Sequence, residues 1–282
     1  MKAINNHIQK KIIVGDEWLY YKIYCGVKTA DYLLIYVIKP ICERLLDNSI
    51  IDKWFFIRYS DPEPHLRVRF HSIKIENLGI IIECFKVQVM PYIISNQVWD
   101  VQLATYHREL NRYGRNTIKE CESFFFYDSQ HSINIIKNDE GDEKHFIVVF
   151  KWIEYLISLF KLNSEQQLSF LKAMQHQFKD EFKVHKPVNK TLNMKYKTLE
   201  ILLYNDLTEN NNNNIELKKI TERLLFLKKE KQLNNSIEYL LSSFIHMSIN
   251  RNFRSKQRLY EMMIYDFLQK KHTSKFARYG KV

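Results

Sequence analysis

The period at which apolar residues recur changes once along this chain, and that change constrains the architecture more than any other feature. In the first half, EWLYYKIYC (17–25), KWFFIRYS (53–60) and HLRVRFH (65–71) read as strands. TADYLLIYVIKPICERLLDN (29–48) and IENLGIIIECFKVQVMPYI (75–93) carry apolar residues at helical spacing, the first bent or interrupted at Pro40. VWDVQLATYHREL (98–110) alternates in part and reads as a further strand, RYG as a turn, and IKECESFFFYDS (118–129) as a short helix. From about residue 145 almost every segment is an amphipathic helix: 145–161, 164–182, 215–232, 236–251 and 255–271. The polar run TENNNNN (208–214) reads as a loop between two of them. The expected fold is α+β, with a small, mostly antiparallel sheet flanked by helices in the N-terminal half and a largely helical C-terminal half. The expectation is one domain over 1–282, made of an α+β lobe (1–144) and a helical lobe (145–282). Six glycines and five prolines in 282 residues are too few for the turns of a β-sandwich or a dinucleotide-binding fold.

Alternation along HLRVRFH sends Leu66, Val68 and Phe70 to one face, into a core, and His65, Arg67 and Arg69 to the other. The two guanidiniums stand roughly 7 Å apart along the strand. Two like charges that close call for an anion or a carboxylate between them, unless the pair simply faces solvent. A second polar cluster is TYHRELNRYG (105–114), where Arg108 and Arg112 are four residues apart with Glu109 between them. Both can reach one cleft, or either can pair with Glu109 at the surface. The third is SFIHMSINR (243–251). At 100° per residue His246 falls opposite Ile237, off the main apolar stripe, with Tyr239 and Asn250 beside it. Such a neighbour can fix an imidazole tautomer, although a lone helical histidine is more often a surface or satisfied core residue.

The formal net charge is +11, and residues 250–282 hold nine Lys/Arg against Glu261 and Asp266. A basic end of this kind is usually a solvated helix face, and no zinc-finger or RNA-binding signature accompanies it. Cys25, Cys42, Cys84 and Cys121 are far apart and form no CxxC, so they read as reduced thiols rather than a metal or redox site. The histidines lack metal-ligand spacing, and neither GxxxxGK[ST] nor GxSxG is present. The most apolar run, 147–160, contains Lys151 and Glu154 and is too short to cross a bilayer. With no signal peptide read at the N-terminus, the expected location is cytoplasmic, membrane association within a biosynthetic complex being compatible with it.

WFFIRYSDPEPHLRVRF, then TYHRELNRYGRNTIKECESFFFYDS, then HMSINR resemble, in that order, the C-terminal glutamate-elimination domain of class I lanthipeptide dehydratases. The same domain occurs alone in thiopeptide-type bacteriocin biosynthesis. The resemblance runs from EWLYYKIYCG to RLYEMMIYDFL and departs from the family's RYGG at Arg115. It implies a lyase that removes glutamate from glutamylated Ser/Thr of a precursor peptide, leaving dehydroalanine or dehydrobutyrine. It implies a separate glutamyl-tRNA-dependent glutamylation protein as partner, with no cofactor, no metal and no direct nucleic-acid contact. A lanthipeptide cyclase and a homodimer are further compatible partners. By the resemblance Arg67, Arg69 and Arg108 contact the glutamyl group and the oxyanion, and His246 transfers the proton. Arg112, His65, Asn250 and Tyr106 are further substrate-binding candidates. Two other readings stay open: a pyridine synthase joining two dehydroalanines, and a non-catalytic scaffold that binds the precursor peptide.

Overall fold

The computed structural model describes residues 8–205 and 215–279, so the polar loop expected at 208–214 lies outside the described residues. The first half runs β1 (Lys11–Ile12), β2 (Trp18–Cys25), α1 (Val27–Leu33), α2 (Lys39–Asp47), β3 (Lys53–Tyr59), β4 (His65–His71), α3 (Asn77–Ile94), β5 (Val98–Leu103), β6 (Tyr106–His107), α4 (Leu110–Tyr113) and α5 (Ile118–Lys137). The rest is helical: α6 (Asp142–Leu159), α7 (Ser164–Glu181), α8 (Lys186–Tyr204), α9 (Ile215–Lys229), α10 (Ile237–Asn252) and α11 (Gln257–Tyr279). This is the expected α+β class. Differences are local. The 98–110 strand is divided into β5 and β6 and ends in a helical turn, and α5 runs to Lys137 rather than stopping near 129.

Four strands form an antiparallel sheet in the order β3-β4-β2-β5, and β1 pairs separately with β6. On one face, Leu66, Val68 and Phe70 are joined by Leu19, Tyr21 and Ile23 in a continuous core. Ile81, Phe85 and Val89, spaced four apart on α3, cover it together with Ile38, Ile41 and Leu45. Pro40 has no amide hydrogen, and the chain accommodates it with a wide turn over Leu34–Ile38, in which the Lys39 amide reaches back to the Leu34 carbonyl.

The chain divides into two compact units, Met1–Asn138 with Arg223–Arg254, and Asp139–Glu222 with Ser255–Val282. Helix α10 belongs to the unit that holds the sheet, for a physical reason. The β3 edge would otherwise expose unpaired backbone groups. Asn250 exchanges two hydrogen bonds with the Arg58 backbone, both 2.9 Å, and Arg251 Nε donates to the Phe56 carbonyl at 2.9 Å. The Ser129 hydroxyl of α5 accepts from the Phe56 amide at 3.3 Å. Fully buried Arg251 also pairs with Asp128 at 2.8 Å, and Ser248 and Asn252 bond Asp128 and Ser132. Polar locks thus hold α10 against α5 and the sheet edge.

The second unit is built from α6, α7, α8 and α11. The sequence reading assigns no element to 186–204, where Lys, Thr and Asn dilute the pattern. Leu192, Tyr196, Leu199 and Leu203 nevertheless recur at helical spacing and form the buried stripe of α8. Much of the basic end is matched internally, which leaves little of it as a free cationic face. Arg258 pairs with Glu181 and Glu261, Lys270 with Asp266, and Lys271 with Glu154.

Candidate active site

The face of the sheet away from the core carries polar and aromatic side chains, and strand register arranges it in rows. Tyr59, His65, Tyr24 and Asp100 stand across one row, and Ile57, Arg67, Lys22 and Gln102 across the next. Phe55, Arg69 and Tyr20 follow, and then Lys53, His71 and Trp18. Paired residues on antiparallel strands share a face, so register alone brings these side chains together.

Arg69 is 6% exposed. Its guanidinium carbon lies 4.2 Å from the Tyr20 ring centroid, 4.6 Å from Tyr106 and 5.0 Å from Phe55. Nε and Nη1 are buried with no hydrogen-bond partner. Burial pushes its pKa down, and the hydroxyls of Tyr106 and Tyr20 oppose that only in part. A buried cation with unmet donors is costly unless an anion completes it.

Arg67 is half-buried and stacks 3.4 Å over the Tyr59 ring. Its Nε donates to His65 Nε2 at 3.1 Å, while His65 Nδ1 lies 2.8 Å from the Glu63 carbonyl. Arginine can only donate, so Nε2 accepts and the proton sits on Nδ1. Burial pulls the His65 pKa down and keeps this neutral tautomer. His65 therefore orients Arg67, whose outer nitrogens remain for a ligand.

Arg108 is 3% exposed and committed to protein carboxylates. It grips Glu122 through two bonds of 2.6 and 2.8 Å and reaches Glu17 at 2.7 Å. Burial disfavours its charge, but the two carboxylates outweigh that and raise its pKa. Glu17 in turn faces His71, which bonds Asp52. The His71 imidazole, its Nε2 3.8 Å from the carboxylate, together with Arg108, holds the Glu17 carboxyl down to about 2. Glu122 also acts on the buried Tyr106 hydroxyl, so this charge chain abuts the Arg69 cage. Nε and Nη2 of Arg108 are thus engaged by Glu122 and Glu17, and Nη1 donates to the Gln9 carbonyl at 3.4 Å.

Arg112 is the more accessible arginine of the pair. Its Nε donates to Ser243 on α10 at 3.1 Å. Ser243, His246 and Asn250 share one helix face at spacings of three and four residues. The half-buried His246 therefore sits between the Arg112 contact and the Arg58 edge lock. Asn250 is engaged by the Arg58 backbone, so it anchors this face. Tyr106, expected to bind substrate, is buried as one wall of the Arg69 cage.

Sequence reasoning missed Lys22, Tyr20 and Tyr59 on the polar face. Alternation in EWLYYKIYC already separates Tyr20, Lys22 and Tyr24 from Leu19, Tyr21 and Ile23. It also missed Glu122, whose signal is a carboxylate on the otherwise apolar face of ECESFFF.

The family model described as the C-terminal part of lantibiotic biosynthesis dehydratases matches residues 18–273. The chain belongs to this family. Among relatives of this dehydratase family, the epidermin biosynthesis protein EpiB of Staphylococcus epidermidis is 28% identical over 228 residues, covering 79% of this chain and 22% of that protein. The nisin biosynthesis protein NisB of Lactococcus lactis subsp. lactis is 29% identical over 268 residues, covering 90% and 25%. The chain thus spans about a quarter of these curated relatives or less. Among solved structures, the tRNA-dependent lantibiotic dehydratase MibB from Microbispora sp. 107891 superposes with a TM-score of 0.71 at 17% identity, covering 94% of this chain and 29% of MibB. The pyridine synthase TbtD from thiomuracin biosynthesis superposes with a TM-score of 0.69 at 9% identity, covering 93% and 99%. At these identities the superpositions establish a shared fold.

Proposed function

We propose that this chain is a lyase that removes glutamate from glutamylated Ser/Thr side chains of a precursor peptide, leaving dehydroalanine or dehydrobutyrine. The ester would come from the glutamyl-tRNA-dependent step that the family resemblance implies. The observation that carries the reading is Arg69: a buried guanidinium with two unmet nitrogens, on a sheet face that it shares with Arg67. A site of this kind suits a departing carboxylate. β-Elimination removes the Cα proton, forms the Cα=Cβ bond from that electron pair, and breaks Cβ–O so that glutamate leaves as its carboxylate. Guanidinium donors aimed at the leaving oxygens stabilise the charge that develops there. His246 is the proposed proton carrier, with Arg112 beside it to stabilise the enolate oxygen of the peptide. His65 keeps Arg67 in position, and Arg108 holds the wall of the Arg69 cage through Glu122.

The match to TbtD over nearly its whole length supports one rival, formation of a pyridine from two dehydroalanines. Two substrates separate the readings. Incubated with this protein, a glutamylated peptide is expected to lose glutamate and give the dehydro product, and a dehydroalanine-rich peptide is expected to stay uncyclised. Cyclisation of the second with no reaction of the first would replace the proposal.

A further inference from the structure

The polar sheet face holds a third cation without a task in the account above. Lys22 lies directly opposite Arg67 in the β2–β4 register, with Gln102 on its other side. Cβ atoms so paired are about 4.5–5.5 Å apart, and like charges placed there destabilise a sheet. Arg69 follows two residues from Arg67 on the same face. Among the described residues, no carboxylate lies within ion-pair distance of Lys22, Arg67 or Arg69. Asp100, the acid in the neighbouring row, already accepts from Gln102 at 2.7 Å. Elsewhere in the chain, buried cations have carboxylate partners: Arg58 has Asp31, Arg108 has Glu122, and Arg251 has Asp128. Three unpaired cations on two adjacent central strands are unfavourable for an empty face and favourable for a ligand with two anionic ends.

A glutamyl ester supplies one such end at rest, the free side-chain carboxylate, and the other as the ester carboxyl departs and takes up charge. The rigid guanidiniums suit the departing carboxyl. Arg67 is pinned by His65 and Tyr59, and Arg69 is enclosed by rings. Lys22 is half-buried on a flexible stem and presents a point charge one strand away, roughly 4.8 Å across the sheet. We propose that Lys22 is a specificity-determining residue, its ammonium binding the free side-chain carboxylate of the glutamyl group while Arg67 and Arg69 hold the departing carboxyl. This rests on the elimination reading. A glutaminyl ester has the same size and leaving group but puts no charge beside Lys22, so the like-charge pair stays uncompensated.

The test uses peptides carrying glutamyl or glutaminyl on one residue, as the ester and as a non-eliminating amide on diaminopropionate. Wild type, Lys22→Gln and Lys22→Arg are compared by binding titration of the amides and by elimination kinetics of the esters. The wild type is expected to prefer the glutamyl amide by at least about tenfold, the worth of a charge-assisted bond. Lys22→Gln should erase the preference and raise KM for the glutamyl ester with little change in kcat, and Lys22→Arg should keep the preference. A general folding defect would weaken both amides together and leave the ratio intact. A Lys22→Gln variant that retains the wild-type ratio, or a wild type without one, overturns the assignment. Lost preference in the absence of any elimination would sink the lyase reading alone.

Discussion

Replacing Arg69 with methionine should slow elimination strongly while costing the fold far less stability than the loss of Arg108 does. The side chain is nine-tenths buried, and two of its nitrogens lack partners. Methionine of similar length removes the desolvated charge and keeps most of the apolar contact with Tyr20, Phe55 and Tyr106. Three ring contacts at 4.2–5.0 Å are lost, each worth about 0.5–2 kcal/mol. Against that stands the cost of an unpaired buried ion, several kcal/mol. The two terms nearly offset, so the net expectation lies within about 3 kcal/mol of zero, a change in Tm of at most roughly 10 °C for a domain of this size. Arg108→Met is the control, because it strands Glu122 and Glu17 without their cation. Its expected cost is about 3–5 kcal/mol, a fall in Tm on the order of 10 °C. Differential scanning fluorimetry reads the two shifts, and elimination kinetics should show Arg69→Met slowed by a factor of about 100–1,000. The reasoning is refuted if Arg69→Met loses as much stability as Arg108→Met, or if it eliminates at the wild-type rate.

If His246 carries the proton as proposed, His246→Gln is expected to reduce elimination by about 100-fold or more with glutamyl peptide still bound; binding titration and single-turnover kinetics check it. Asn250→Ala should destabilise the fold by about 1–3 kcal/mol, because the Arg58 amide and carbonyl both lose their partner at the β3 edge; urea unfolding measures this. Burial works against the His71 charge, but Asp52 and Glu17 outweigh it and raise the pKa, so its contribution to stability is complete below about 6.5 and is lost as pH rises through the raised value. Glu17, lowered from 4.5 to about 2, contributes fully above about 4.5 and loses its contribution as pH falls towards 2. The Tm difference between wild type and His71→Gln should therefore be greatest between about 4.5 and 6.5 and shrink above that window, and a difference that grows with rising pH would contradict the sign.

How far the site was legible follows from where its partners lie in the chain. Alternation within HLRVRFH is local, and it correctly separated the core residues Leu66, Val68 and Phe70 from His65, Arg67 and Arg69. The cage around Arg69 is not local, because Tyr20, Phe55 and Tyr106 come from β2, β3 and β6. Arg108 and Arg112 look equivalent in TYHRELNRYG. They differ because Arg108 meets Glu122 and Glu17, which lie 14 and 91 positions away. Lys22 is a single cation in an aromatic strand until register sets it against Arg67. HMSINR carried the resemblance as one motif, yet it divides by function. Asn250 and Arg251 lock the helix to β3 and α5, which sets the face on which His246 stands.

The most direct measurement is a single turnover on a peptide whose glutamylated serine carries deuterium at Cα. If the cations of the sheet face release glutamate while a proton is taken from carbon, the product lacks both glutamate and deuterium, and the rate shows an isotope effect. Recovery of serine with its deuterium in place would mean the ester had been hydrolysed, and the elimination site would not exist.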